Sequence, residues 1–340
     1  MSCARATIFQ DKGYDRELKK YDPIPIEEIR DAQNRIKDII VRTPLVRLNI
    51  DDAPAKIYLK LENLQPIGSF KIRGAINTIL NAKPEELKDG VWTASSGNHG
   101  QGVAWNARKL GVKCTIVVPE NADQAKIDAL ERLGATIIKG PPFSLEHMKD
   151  FFDPNSYPEM KGLFVHPFMN PSGMAGQGTI GLEILEDLPD VDAVITPWGG
   201  GGLTCGVASA VRALKSETRI YASEPVTAAA LAASFKAGQP EKFDYIPTFI
   251  DSAGSPIVWP EMWSRAKELL DGSIAVGIDK TASTIKLLAE RNKIIVEGAG
   301  ALSVTAALTG KAGAGKIACV VSGGSIDLQK LVKIFQGKTP

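Results

Sequence analysis

Short β-branched runs alternate with helix-like runs along most of this chain, and that rhythm constrains its fold more than any other feature. The candidate strands are KIYLKLE (56–62), VWTAS (91–95), CTIVVP (114–119), TIIKG (136–140), AVITP (193–197), RIYASE (219–224) and KIACVVSG (316–323). Between them stand segments with a helical repeat, such as IEEIRDAQNRIKDII (26–40), ADQAKIDALERLG (122–134) and TASTIKLLAERNK (281–293). Strand, helix, strand in repetition predicts an α/β fold of twisted, mainly parallel sheets flanked by helices. Glycine-rich clusters lie where strand-like runs end, around 96–102 and 199–202. Ligands collect at the carboxyl ends of strands in open α/β sheets. Two such clusters in separate halves predict a cofactor held between two domains, for which 340 residues suffice. The Pro- and Asp-rich stretch 141–162 marks one crossover between them.

Bulk properties exclude several classes of function. Forty basic residues against 39 acidic ones give a net charge of +1, and nothing in that balance suggests nucleic acid or membrane as the main partner. No stretch approaches the roughly 18 to 20 apolar residues that span a bilayer. The N-terminal MSCARATIFQDKGYDRELKKYD carries no long apolar run, so a signal peptide is not expected. Cys3, Cys114, Cys205 and Cys319 are scattered without a CxxC pair. They are expected as free thiols in a reducing, cytoplasmic setting, with no disulfide framework and no metal site.

The run AVITPWGGGGLTCGVASAVRAL (193–214) is an apolar strand, four glycines and then a helix-like segment. Gly199, Gly200, Gly201 and Gly202 lack side chains, so their N–H groups are free to converge on an anion at a helix N-terminus. Neither GxGxxG nor a following GK[ST] is present, which argues against a dinucleotide fold or a Walker loop. A tight turn that binds nothing is the alternative, but four consecutive glycines cost conformational entropy. A phosphate cradle is the expectation.

Lys71 sits in KLENLQPIGSFKIRGAINTIL (60–80), with Pro66, Gly68 and Gly74 crowding the backbone around it. Alone, such a lysine reads as a solvated surface residue. A phosphate cradle downstream changes that reading, because a lysine that reacts as an amine, a phosphate site and a carbonyl cofactor together point to pyridoxal phosphate.

Five motifs then occur in one order: GSFKIRGA (68–75), SSGNHGQG (95–102), GGGGL (199–203), the pair Glu224-Pro225 and VVSGGSID (320–327). They resemble the serine/threonine dehydratase and serine racemase family of fold-type II pyridoxal phosphate enzymes, from RTPLVRL (42–48) onward. The resemblance implies a large cofactor-binding domain of residues 1–80 and 165–340, and a small domain of 81–164 bearing the substrate loop. It implies that Lys71 forms the Schiff base beside Phe70, that Gly199 to Gly202 and Leu203 hold the phosphate, and that Asn98 bonds the cofactor's 3′-oxygen. Ser95, Ser96, Gly97, Asn98 and His99 would receive the substrate carboxylate, and Ser322 would face the pyridine nitrogen. Gln177 lies in another family run without an assigned role. Phe168, in HPFMNP (166–171), is either a substrate-side residue or plain core.

A neutral hydroxyl at Ser322 stabilises a carbanion less than a carboxylate would, which favours β-elimination over transamination. The implied reaction is ammonia loss from L-threonine or L-serine, giving 2-oxobutanoate or pyruvate, with a cytoplasmic homodimer as the implied assembly. Ser96 resembles the racemase acid/base on the face opposite the lysine, so racemisation is the second reading.

Departures from the family keep the substrate open. Ala230 stands where a second acid would join Glu224 at a cation site, leaving Glu224 with a monovalent ion, water or solvent. Ser252 and Ser325 replace the glycine and asparagine common in relatives, which leaves 3-hydroxyaspartate and phenylserine as candidate substrates. The sequence ends soon after the last motif, so feedback control through an appended amino-acid-binding domain is not expected. A non-catalytic pyridoxal-phosphate-binding protein and a nucleotide-dependent oxidoreductase are the readings from other classes. The carboxylate loop argues against the first and the missing GxGxxG against the second.

Overall fold

The computed structural model describes residues 22–141 and 148–340. The readings placed on Cys3, on the N-terminal 21 residues and on 142–147 of the crossover stretch lie outside the described residues. Within them run β1 (Leu45–Arg47), β2 (Lys56–Leu61), β3 (Val91–Ala94), β4 (Cys114–Pro119), β5 (Thr136–Gly140), β6 (Leu163–Phe164), β7 (Ala193–Pro197), β8 (Arg219–Pro225), β9 (Gly272–Val276) and β10 (Lys316–Val321). They form a six-stranded sheet in the order β1-β2-β10-β7-β8-β9 and a four-stranded sheet in the order β5-β4-β3-β6. Every pairing is parallel except that of β1 with β2. The α/β expectation holds.

All seven expected strands form, with bounds that differ by at most two residues from those expected. The first ends at Leu61, because Glu62–Leu64 turns into a 3₁₀ helix, and the last ends at Val321. The helix expected over 26–40 stops at Ile36. Three strands escaped the pattern. β1 and β6 have three and two residues, too few to display alternation. β9 reads GSIAV, with only two β-branched residues. The crossover stretch carries the helix Met148–Phe152 and a 3₁₀ turn at Pro154–Ser156 before β6 joins the four-stranded sheet.

Both faces of the larger sheet are covered, which is why its strands read as nearly continuous apolar runs. Side chains alternate across a strand. Ala318 and Val320 of β10 therefore pack with the helices Pro171–Asp187 and Gly202–Leu214, while Ile317, Cys319 and Val321 pack with the helices Ile278–Asn292 and Gly298–Leu308. In the smaller sheet Val91, Ile116 and Val118 line one core, and Trp92, Ala94 and Val117 the other.

The helix Lys71–Leu80 joins the two halves. Its Ala75 and Ile79 enter the core of the smaller sheet. Its Gly74 meets Gln177 so closely that a Cβ there would overlap the Gln177 amide. A buried charge network anchors it: Arg73 Nε bonds Glu62 Oε2 at 2.8 Å and Arg73 Nη1 bonds Glu183 Oε1 at 2.7 Å. Lys60 Nζ completes the network at 2.6 Å from Glu183 Oε2. Burial works against the Glu62 charge, yet the Arg73 guanidinium outweighs it and holds that carboxyl below its ordinary range.

Candidate active site

The carboxyl ends of β3, β7 and β10 converge on the N-terminus of the Lys71 helix. Behind β10, the turn 322–324 clasps the segment before Lys71. Phe70 N–H donates to the Ser322 carbonyl at 3.1 Å, and Gly324 N–H to the Gly68 carbonyl at 2.9 Å. Ser322 is thereby buried one hydrogen bond from the residue preceding the lysine. The Phe70 ring lies 5.3 Å from Lys71 Nζ.

Lys71 Nζ donates to the Pro167 carbonyl at 2.8 Å. Burial pushes this amine down to about 8, opposed only in part by the charge of Glu297. That shift raises the fraction of free amine near neutral pH and so favours attack on a carbonyl.

The tetraglycine loop lies at the end of β7. Gly201 has φ of 90° and precedes the helix Gly202–Leu214, whose first internal bond runs from Cys205 N–H to the Gly201 carbonyl at 2.8 Å. The N–H groups of Gly202, Leu203 and Thr204 thus emerge from the helix end without an intrahelical acceptor. The Phe168 ring lies against Gly200 and the Phe168 backbone against Gly202, each so close that a Cβ would overlap it. The glycines are required by this contact as well as by any anion. A glycine loop, a helix N-terminus and a desolvated amine at the same sheet edge fit a phosphate-bearing carbonyl cofactor.

The loop after β3 is more constrained than its sequence implies. Ser95 N–H is spent on the Val117 carbonyl at 3.0 Å, and Gly97 N–H reaches Ser95 Oγ at 3.3 Å. The helix Asn98–Leu110 begins its own bonding at Gln101 N–H, so the amides of Asn98, His99 and Gly100 have no intrahelical acceptor. Ser96 and Asn98 are half-buried beside them. The His99 ring is turned away to the backbone, with Nε2 2.9 Å from the Val165 carbonyl. Burial, then Lys71, holds it well below its ordinary pKa.

Three features were missed in the sequence. Pro167 supplies the carbonyl to Lys71. His166 Nδ1 accepts from Phe168 N–H at 3.2 Å and Met169 N–H at 3.0 Å, while burial and Lys71 push its pKa down to about 3. Glu297 accepts from Asn98 Nδ2 at 2.8 Å. An acid directly before the apolar Gly-Ala-Gly start of the helix Gly298–Leu308 was the signal available for it.

Glu224 needs a correction. It is not a solvated acid, since it is fully buried and accepts from Leu231 N–H and Ala232 N–H, each at 2.9 Å, and from Ser273 Oγ at 2.6 Å. The start of the helix Ala230–Ala237 occupies its oxygens. Among the described residues no group of three or more His, Cys, Asp or Glu side chains is placed to hold a metal ion. Cys114, Cys205 and Cys319 are buried free thiols, and no described helix is long and apolar enough to cross a membrane.

Two mainly parallel sheets whose strand ends bring an amine to a glycine-bordered helix terminus define an α/β enzyme built around an anionic carbonyl cofactor. Residues 36–323 match the family described as pyridoxal-phosphate dependent enzyme, and the chain belongs to that family. It is 39% identical over 316 residues to an L-threonine ammonia-lyase of Thermotoga maritima, covering 92% of this chain and 78% of that one. It is 35% identical to the catabolic L-threonine dehydratase TdcB of Escherichia coli, covering 92% and 97%. Among solved structures, maize serine racemase superposes with a TM-score of 0.83 at 34% identity, covering 92% of this chain and 97% of that one. The family resemblance and the fold-type II architecture read from the sequence are therefore those observed.

Proposed function

We propose that this protein is an ammonia-lyase that converts L-threonine, L-serine or both to a 2-oxo acid and ammonia by β-elimination. The observation that carries the reading is Lys71, a desolvated amine with its pKa near 8 at the sheet edge shared with the tetraglycine helix end. The relatives named as threonine ammonia-lyase and threonine dehydratase support it.

In this reading Gly199 to Leu203 bind the cofactor phosphate through their amides, Asn98 donates to the 3′-oxygen, and Ser322 meets the ring nitrogen with a neutral hydroxyl. When bound, the cofactor supplies an electron sink for the pair left by the departing Cα proton. The amides that open the helix Asn98–Leu110 hold the substrate carboxylate, with the Ser96 hydroxyl beside them. Lys71 Nζ takes the Cα proton, and the β-hydroxyl leaves as water on taking up one proton in exchange, so that no net proton is gained or lost in the elimination. Hydrolysis of the resulting enamine returns that water and releases ammonia, so threonine yields 2-oxobutanoate and serine yields pyruvate.

Racemisation is the second reading. It rests on Ser96, whose hydroxyl offers a second proton-transfer group, and on the likeness to maize serine racemase. We place the protein in the cytosol as a homodimer, with 1–80 and 165–340 as the cofactor domain and 81–164 as the substrate-loop domain. Leu328, Val332 and Phe335 form an exposed apolar stripe on one helix, which supports the dimer.

The test is a 2-oxo-acid and ammonia assay across threonine, serine, 3-hydroxyaspartate and phenylserine in both stereochemical series, with chiral analysis of the remaining amino acid. Turnover of L-threonine or L-serine is expected. Loss of optical activity without oxo acid would replace the lyase with the racemase, and turnover confined to the other two substrates would move the specificity.

A further inference from the structure

Glu297 is a buried acid with no task in the chemistry above and none that its place in the chain explains. It directly precedes the helix Gly298–Leu308, where acidic side chains often cap, yet its side chain makes no capping bond. Its backbone N–H is spent on the Gly323 carbonyl at 3.1 Å. The side chain reaches instead to the other sheet's loop, where Oε1 accepts from Asn98 Nδ2 at 2.8 Å. The same oxygen lies against Gly323, so closely that a Cβ there would overlap it. Glu297 thus stands between Asn98 and Gly323, and Gly323 directly follows Ser322, which the proposed function sets with Asn98 around one cofactor ring.

Burial makes this placement costly. Glu297 is 6% exposed, and its carboxyl is pushed up to about 8, by desolvation first and by Asp251 second, with Asn98, Lys126 and Lys71 opposing. An apolar residue would avoid that cost. What the carboxyl provides is an acceptor. An asparagine amide has two donor hydrogens and one acceptor oxygen, and without a partner it presents either end to the cleft. Accepting one Nδ2–H leaves the second Nδ2–H as a defined donor.

We infer that Glu297 is a positioning residue that locks the Asn98 amide with its nitrogen toward the cofactor's 3′-oxygen. This rests on the role proposed for Asn98. A carboxyl always has an oxygen free to accept from Asn98 Nδ2, whereas a glutamine amide can present either its oxygen or its nitrogen, so loss of the acid is felt as weaker cofactor binding rather than as unfolding.

The test compares the holoenzyme with Glu297→Gln, Glu297→Met, Asn98→Ala and the Glu297→Gln/Asn98→Ala double variant. Pyridoxal phosphate affinity, the position of the visible absorption band and the melting temperature are measured for each. Glu297→Gln is expected to weaken affinity roughly ten-fold and to move the band. Glu297→Met is expected to do the same while melting no lower than the parent, since an apolar group replaces a desolvated acid. The double variant should match Asn98→Ala, because Glu297 acts through Asn98. Unchanged affinity and band in both Glu297 variants, or full additivity in the double variant, overturns the inference alone. A silent Asn98→Ala overturns it together with the Asn98 assignment, whereas a borohydride-trapped adduct on Lys71 reads the cofactor attachment separately.

Discussion

Lys71 Nζ is held 2.8 Å from the carbonyl oxygen of Pro167, a neutral partner rather than a carboxylate. The lysine opens the helix Lys71–Leu80, while Pro167 follows β6 at the edge of the four-stranded sheet. Neutral acceptance orients the amine without holding it as a cation. Burial is therefore free to lower its pKa to about 8, with only the more distant Glu297 opposing.

A pH dependence follows from that value. Capture of pyridoxal phosphate by the cofactor-free protein, trapped with borohydride, should rise with pH to a midpoint near 8 and then level off. The sign for stability is opposite to that of a salt-bridged lysine. The folded chain releases this proton before the unfolded one, so stability climbs between about 8 and the ordinary value of 10.5. A capture midpoint near 10.5 would show that the amine is not desolvated.

Lys71→Ala removes the amine that is proposed to take the Cα proton. Turnover should fall on the order of 10²–10⁴-fold or more, as for other general bases, and the borohydride adduct should vanish. Mass spectrometry of the trapped protein checks the second point. Melting of the cofactor-free protein should not drop, because no ion pair is lost.

Gly200 is expected to be intolerant of a methyl group because of Phe168. Gly200→Ala drives a Cβ into the Phe168 ring and should cost about 1–3 kcal/mol by overpacking. Phe168→Ala vacates that space, so the double variant should recover part of the loss in urea denaturation. Independent, additive losses would show that the two residues do not meet.

Arg73 faces two buried carboxylates. Arg73→Met strands Glu62 and Glu183 without their shared partner and should destabilise the fold by about 3–5 kcal/mol. Replacing Arg73 and Glu62 together by apolar residues, which leaves Lys60 paired with Glu183, should cost far less. Urea unfolding of the single and double variants separates the two expectations.

Glu224 should leave a mark on stability at mild acid pH. Burial raises its carboxyl to about 7, with Ser273 and the amides of Leu231 and Ala232 opposing. The folded chain then keeps a proton that the unfolded chain releases near 4.5, so this group's contribution is present below 4.5 and lost as pH rises through 7. Glu224→Gln should flatten the unfolding free energy across that window. An unchanged slope would show that Glu224 is not the titrating group.

Much of this protein is legible in its sequence, because the relevant signals are local. Strand runs such as AVITP and CTIVVP are buried on both faces of parallel sheets and stand out as apolar blocks between helical repeats. Lys71, the four glycines, the loop of Ser95 to His99 and Ser322 each sit in a short contiguous motif at a strand or helix end, where chain geometry and residue type coincide. The three short or weakly patterned strands, β1, β6 and β9, carry no such signal.

Lys71 was visible in the sequence as a candidate for attaching the cofactor, but its environment was not. Its acceptor, Pro167, lies 96 residues away in the chain, and the Asn98–Glu297 pair spans 199. No period or motif encodes such distances. They arise because parallel strands place all their carboxyl ends along one edge, so residues far apart in sequence meet where the sheets end. The sequence determined which chemistry the chain carries. The tertiary structure decided how that chemistry is tuned, because desolvation and hydrogen-bond partners exist only once the two sheets have packed.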